Sequence, residues 1–316
     1  MSQLVFDPSK VMDIDYTQRT EYLEGLEAIK AAHQVLKEIT YTPSLPDKGY
    51  TNRTLYVNVG SLEITEKPVT QQMKDFFIGG RGFGLYHLWN AVKPTTRWND
   101  PENEIIISPG PVAGITQYAG TGKSLVVSLS PQTDIPIDSN VGGFYGPLLK
   151  FSGFDALELQ GKAEKDLILF IDGQKGIIRI EEAPKEPVDS HVLAEILTHM
   201  YAENEADLPN VSVVSTGAAA EHSLIGMLNF SFYDRRRKCV RFKQAGRGGI
   251  GTVFRDKRIR ALVIRGPKVA GDLNHPADPA TIAKTGIKYH KEIRENDPHQ
   301  CMMRRNGTAH IVEIMD

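Results

Sequence analysis

The spacing of apolar residues changes several times along the chain, and each change predicts an element. Tyr22, Leu26, Ile29, Ala32, Leu36 and Ile39 recur every three or four residues, the period of an amphipathic helix over 22–39. Pro43-Ser44-Leu45-Pro46-Asp47-Lys48-Gly49 then reads as a linker with turn chemistry. From Thr54 the pattern becomes β-rich. Residues 55–59, a turn at Gly60-Ser61 and residues 62–64 predict a hairpin. Helices are predicted over 68–77 and 83–92. Strands are predicted near 104–108, 124–130, 155–160, 167–172 and 177–182, with Asp172-Gly173-Gln174-Lys175-Gly176 as a hairpin connection. A helix near 191–203 precedes a strand at 211–215, and 279–295 reads as a further helix. Strands and helices mix without regular βαβ alternation, which favours an α+β fold over a doubly wound sheet. Three segments follow: an N-terminal helical extension and linker (1–50), a β-rich domain (51–268) and the start of a helical domain (269–316).

Two glycine-rich stretches organise the β-rich part: Ser139-Asn140-Val141-Gly142-Gly143-Phe144-Tyr145-Gly146 and Gln244-Ala245-Gly246-Arg247-Gly248-Gly249-Ile250-Gly251. Each is followed by a Lys (Lys150, Lys257), an apolar run and a Gly (Gly161, Gly266), in register to within about one residue. Each is preceded by a strand-like run that ends in a small-residue turn. The pattern is an internal duplication of strand, glycine-rich loop, short segment and strand. Two pseudo-equivalent loops suit a ligand that is itself two-fold.

Composition narrows the function. With 37 basic against 39 acidic residues, the charge is balanced, against a nucleic-acid binder that relies on bulk positive charge. The two cysteines, Cys239 and Cys301, support neither a disulfide framework nor a Cys-rich metal site, which fits the cytoplasm. No signal-peptide pattern is evident at Met1–Asp7, and no apolar run of about 18 residues is present to span a membrane.

Gly120-Thr121-Gly122-Lys123-Ser124 resembles the end of a P-loop. It lacks the first glycine, since Gln117 stands there, and a strand pattern rather than a helix follows. Its backbone N–H groups and the Lys123 ammonium still suit a phosphate. Residues 246–251 satisfy G-x-G-x-x-G, but the helix predicted after them, 252–258, is short for a Rossmann crossover. Arg247 beside those glycines adds a bidentate phosphate partner. The Arg235-Arg236-Arg237-Lys238 run reads as solvated surface. Asn140 either caps a turn or faces the ligand. The histidines show no metal spacing, and no nucleophile signature appears. The chain carries signs of phosphorylated-ligand binding more than of chemistry.

Ile78-Gly79-Gly80-Arg81-Gly82, Ser108-Pro109-Gly110-Pro111, Asn140-Val141-Gly142-Gly143-Phe144-Tyr145-Gly146, Lys150-Phe151-Ser152-Gly153-Phe154-Asp155 and Ala245-Gly246-Arg247-Gly248-Gly249-Ile250-Gly251 together resemble the N-terminal domain of tungsten-containing aldehyde:ferredoxin oxidoreductases. The resemblance runs in order from about Tyr56 to Gly266. It implies two pseudo-symmetric β-sheets forming the base of a bis-pterin tungsten site, with molybdenum as the other candidate metal. It implies that Lys123 stands where the family has a phosphate-binding Arg, keeping the charge but losing the fork. It also implies a Mg²⁺ held by main-chain oxygens of Asn140 and Ala245 between the two pterin phosphates, with backbone donors near Gly142, Gly246 and Arg247 on the phosphates.

The family's Cys-x-x-Cys-x-x-x-Cys group and fourth Cys for a [4Fe–4S] cluster, its Asp-x-x-Gly-Leu pterin motifs and its acidic and His residues near tungsten are not in this sequence. Arg305-Asn306-Gly307-Thr308-Ala309 resembles a stretch just inside the family's next domain. The expectation is therefore the cofactor-cradling part of an oxidoreductase that turns aldehydes into carboxylic acids. Electrons would pass through a cluster whose ligands lie outside this chain, to ferredoxin or a partner subunit. The other readings are a non-catalytic pterin scaffold or carrier and, more weakly, a Rossmann-like nucleotide binder.

Overall fold

The computed structural model describes residue 23 and residues 26–184, 189–268, 273–296 and 305–315. The chain begins with α1 (Leu26–Ala32), β1 (Val35–Thr40), β2 (Arg53–Asn58), β3 (Glu63–Pro68), α2 (Gln71–Phe77) and α3 (Arg81–Ala91). Next come β4 (Ile105–Pro109), β5 (Ser124–Leu129), β6 (Pro136–Val141), α4 (Tyr145–Phe151) and β7 (Ala156–Gln160). The second half has β8 (Leu167–Asp172), β9 (Ile177–Glu182), α5 (Ser190–Tyr201), β10 (Val211–Ser215), β11 (Leu228–Asp234), β12 (Cys239–Ala245), α6 (Ile250–Asp256) and β13 (Ile259–Arg265). The helix α7 (Pro279–Asn296) follows.

Two mixed sheets result, β3-β2-β7-β4-β5-β6 and β1-β9-β8-β13-β10-β11-β12. Apart from β1 they have one topology. In each, a hairpin (β2–β3, β8–β9) pairs in parallel with the last strand (β7, β13), and the other pairings are antiparallel. The duplication read from the two loops thus extends to six strands per half. The fold is α+β, and the two halves share a core. Leu55, Val57, Ile105, Ile107, Leu157 and Leu159 join Leu169, Ile171, Leu262 and Ile264 in one buried cluster. Alternate residues of these strands face outward beneath α3 or α5, as the two-residue period of a strand requires.

One predicted element is corrected. The single helix over 22–39 does not form: α1 stops at Ala32, and Val35–Thr40 is a strand, antiparallel to β9 from Val35↔Glu181 to Thr40↔Ile177. The strand is largely exposed, so backbone pairing to an open sheet edge decides its conformation, and a chance helical spacing is overridden. Part of the N-terminal segment is therefore built into the second sheet. The predicted helix over 279–295 is present as α7. It rests on the 117–118 loop, where a Cβ at Gly286 would meet Gln117 O at 2.0 Å, and Tyr118 meets Tyr289 edge-on at 6.2 Å.

Candidate functional site

The edge strands β6 and β12 come together where the two sheets meet. Each runs into a glycine loop and then into a seven-residue helix, α4 or α6. Each loop packs on the opposite half. Arg247 N donates to Ser139 Oγ of β6 (3.1 Å). A Cβ on Gly248 would lie 2.4 Å from Ile137 Cγ1 of β6. In return, a Cβ on Gly142 would lie 3.3 Å from Lys243 Cγ of β12, and one on Gly143 would lie 3.2 Å from Phe230 O. Gly143 (φ +93°) and Gly248 (φ +68°) both hold the left-handed backbone that glycine alone takes without strain. Tyr145 and Phe144 fasten the first loop across the interface: their rings meet Phe230 and Phe232 at 5.9 and 5.5 Å. Burial pushes the Tyr145 hydroxyl well above its ordinary range, so it stays neutral.

The loops are not identical. Strand register pairs Val141 with Ala245, both buried. Counting back from the helix starts, Tyr145 and Ile250, pairs Asn140 with Ala245 instead. The second loop is one residue longer and carries Arg247. On the helix-based count the partner of Gly248 is Gly143, and Arg247 is opposite Gly142.

Three exposed cations line this junction: Lys123, Lys243 and Arg247. None of them makes an ion pair with another described residue. Lys123 follows Gly122, whose Cβ would lie 3.4 Å from Gly143 O, so the loop after β4 reaches the first glycine loop. A Cβ on Gly246 or Gly120 would meet nothing within 4 Å, leaving open backbone beside these charges. By contrast Arg81 is committed to Asp138 of β6, through Nε–Oδ1 and Nη2–Oδ2, both at 3.0 Å. Unpaired cations around open glycine backbone fit an anion with phosphate geometry.

The structure thus brings Lys123, Asn140, Gly142, Ala245, Gly246 and Arg247 to one junction. Asn140 is exposed on β6. Ala245 is fully buried, and its methyl belongs to the core. The sequence reading missed Lys243 because β12 was not recognised. The stretches read as loops begin as strands: Ser139–Val141 belongs to β6 and Gln244-Ala245 to β12. The Leu228, Phe230, Phe232 alternation, followed by the Arg235–Lys238 turn, was the available signal for the β11–β12 hairpin. That turn is exposed, as expected. The nucleotide-fold alternative has no structural basis: β12 and β13, either side of Gly246–Gly251, run antiparallel and are not neighbours, so they are no βαβ unit. Among the described residues no group of three or more His, Cys, Asp or Glu is placed to hold a metal, and no helix is long and apolar enough to cross a membrane. Cys239 is buried, and Cys301 lies outside the described residues.

Residues 54–266 match the family described as aldehyde ferredoxin oxidoreductase, N-terminal domain. The chain is 31% identical over 270 residues to the tungsten-containing aldehyde ferredoxin oxidoreductases of Pyrococcus horikoshii and Pyrococcus abyssi, covering 85% of this chain and 41% of each relative. It is 26% identical over 223 residues to the aliphatic sulfonate oxidoreductase, WOR-like subunit, of Pyrococcus furiosus, covering 69% of this chain and 34% of that one. Among solved structures, the active site complex BamBC of benzoyl coenzyme A reductase superposes with a TM-score of 0.65 at 27% identity, over 79% of this chain and 36% of that one. This chain therefore spans less than half the length of these relatives. With the matched domain covering both glycine loops and both sheets apart from β1, the chain belongs to the aldehyde ferredoxin oxidoreductase family.

Proposed function

We propose that the junction of β6 and β12 cradles the phosphates of a tungsten bis-pterin cofactor, within an oxidoreductase that converts aldehydes to carboxylic acids. The observation that carries this is the pair of reciprocally packed glycine loops ringed by the unpaired cations Lys123, Lys243 and Arg247. One loop serves each pterin. Lys123 and Arg247 attract and orient phosphate oxygens, and the glycines let the backbone approach them closely. A Mg²⁺ between the two pterin phosphates would be held by main-chain oxygens of Asn140, which lies exposed on β6, and of Ala245. When bound, the metal–dithiolene unit supplies the two-electron redox chemistry, while the protein supplies position and electrostatics. The remaining ligands, a [4Fe–4S] cluster and the route to ferredoxin would come from polypeptide outside this sequence.

The test is tungsten, molybdenum and pterin content of the native assembly, with aldehyde-dependent reduction of a viologen dye. Tungsten near one per chain with turnover is expected. Tungsten and pterin without turnover on any aldehyde would favour a cofactor carrier. A folded assembly free of both would overturn the reading.

A further inference from the structure

On the outer face of the first sheet, far from the glycine loops, a pocket of about 670 Å³ opens between β3, β2, β7 and the helices α2 and α3. β3 and β6 are opposite edges of that sheet, so the pocket and the cofactor junction do not overlap. Three almost fully buried groups lie at its base: Glu104 before β4, Glu158 of β7 and His87 of α3. Glu158 Oε1 lies 3.0 Å from His87 Nδ1, and His87 Nε2 lies 3.3 Å from Thr54 Oγ1. Glu104 Oε2 is buried and has no hydrogen-bond partner.

The pseudo-symmetric half shows what a purely structural layer looks like at these positions. Strand register pairs Thr54 with Ile168, Tyr56 with Phe170, Glu104 with Val211 and Glu158 with Val263. All four partners sit in one apolar cluster beneath α5. The fold therefore does not need acids here. A buried carboxyl group with an unmatched oxygen is costly.

The pocket already shows which group it accepts. The Lys67 ammonium, on a half-exposed stem, reaches in to Glu158 Oε2 (2.6 Å) and lies over the Tyr56 ring at 4.1 Å. Carboxylates and an aromatic face are the usual receptors of an ammonium. One acid, Glu104, is left without such a partner, and Glu63, Tyr86, Asn90 and Met73 line the way in.

We propose that this pocket is a second binding site, for a small molecule carrying a primary ammonium group. The ligand's nitrogen takes the seat on Glu104 and Glu158, Lys67 swings out to solvent, and the aliphatic part lies against Tyr86 and Met73. Burial, and next the charge of Glu158, push the Glu104 carboxyl up to about 8, against the opposing pull of Lys67 and Lys257. Glu104 therefore starts protonated at neutral pH and gives its proton to solvent as the ammonium binds.

Calorimetry of the purified native protein with 1,4-diaminobutane, in two buffers of different ionisation enthalpy, tests this. Release of about one proton at pH 7 is expected, with affinity about tenfold higher at pH 9 than at pH 7. Glu104→Gln mimics the protonated acid, so the fold should survive while affinity falls at least tenfold. Lys67→Gln removes the internal competitor and should tighten binding. Absence of binding, unchanged affinity in Glu104→Gln, weaker binding in Lys67→Gln, or tighter binding of Mg²⁺ or Mn²⁺ than of the diamine would each overturn the proposal.

Discussion

The outer faces of the two sheets solve one packing problem in opposite ways. Beneath α5, Ile168, Phe170, Val211, Val213 and Val263 meet Leu193, Ala194 and Leu197 in a dry layer. Beneath α3, the positions equivalent to Ile168, Phe170, Val211 and Val263 hold Thr54, Tyr56, Glu104 and Glu158, while Ile106, equivalent to Val213, joins Leu88, Val127 and Ala156 in a smaller apolar cluster. The inner faces of both halves are apolar and merge in one core. A duplicated fold thus fixes which positions are buried, but not what they bury. The inner face is constrained twice, by its own sheet and by its partner. The outer face answers only to its helix and was free to diverge.

The largest effect should come from forcing the second half to resemble the first. Val263→Glu places a carboxylate in the dry layer with none of the His87 and Lys67 partners that Glu158 has. A destabilisation of about 4 kcal/mol or more is expected in denaturant titration, enough to unfold a marginal domain. If the variant keeps wild-type stability, the two outer faces are not different environments.

The glycine loops sharpen the comparison on the inner side. Gly248→Val combines φ +68° with a clash on Ile137, and Gly143→Val combines φ +93° with contact on Phe230 O. Each should cost about 1–3 kcal/mol of stability. At Gly246 an added Cβ meets nothing within 4 Å, so the Gly246→Val fold should be intact while tungsten and pterin content falls. Equal loading of Gly246→Val and wild type, with circular dichroism as the fold control, would remove the second loop from the site.

Much of this architecture was legible in the sequence, and the gaps have physical causes. The β2–β3 hairpin, the strands of residues 104–108 and 211–215 and the doubled loop-to-strand pattern were readable from local alternation and glycine spacing. The strand β1 was not, because it is held by a distant edge rather than by its own preference. The hairpin β11–β12 hid behind the conspicuous charge of its Arg235–Lys238 turn, and Lys243 was lost with it. The outer pocket could not be read at all: Glu104 and Glu158 are far apart in sequence and become neighbours through strand register.

A smaller effect is expected at Lys123, where one half supplies an ammonium to the junction and the other a guanidinium, Arg247. Lys123→Ala should weaken cofactor retention by about 1.5–3 kcal/mol, the worth of a charge-assisted hydrogen bond, read as tungsten lost on dialysis. Lys123→Arg should retain tungsten at least as well. Loss of tungsten in the Arg variant would show that Lys123 acts through shape rather than charge.

The mildest test is pH, where the two halves contribute buried groups with opposite slopes. Burial, followed by the Glu158 charge, raises Glu104 from about 4.5 to about 8, so the folded state holds its proton more tightly than the unfolded chain. Between those values the unfolded state binds fewer protons, and stability falls as pH rises. Lys257, buried at the end of α6 with its ammonium on Gly161 O (3.0 Å), is pushed down from 10.5 to about 8 by burial. Between about 8 and 10.5 the unfolded state binds more protons, and stability rises with pH. The slope from one such group cannot exceed about 1.4 kcal/mol per pH unit. These two groups together should give a shallow minimum in stability near pH 8, measured by denaturant titration from pH 5 to 10. Glu104→Gln should remove the falling limb and leave the rising one, while Lys257→Met should do the reverse. A falling limb that persists in Glu104→Gln would mean that the acid pair beneath α3 is ionised throughout, and that its half of the molecule is more hydrated than the burial of Glu104 and Glu158 implies.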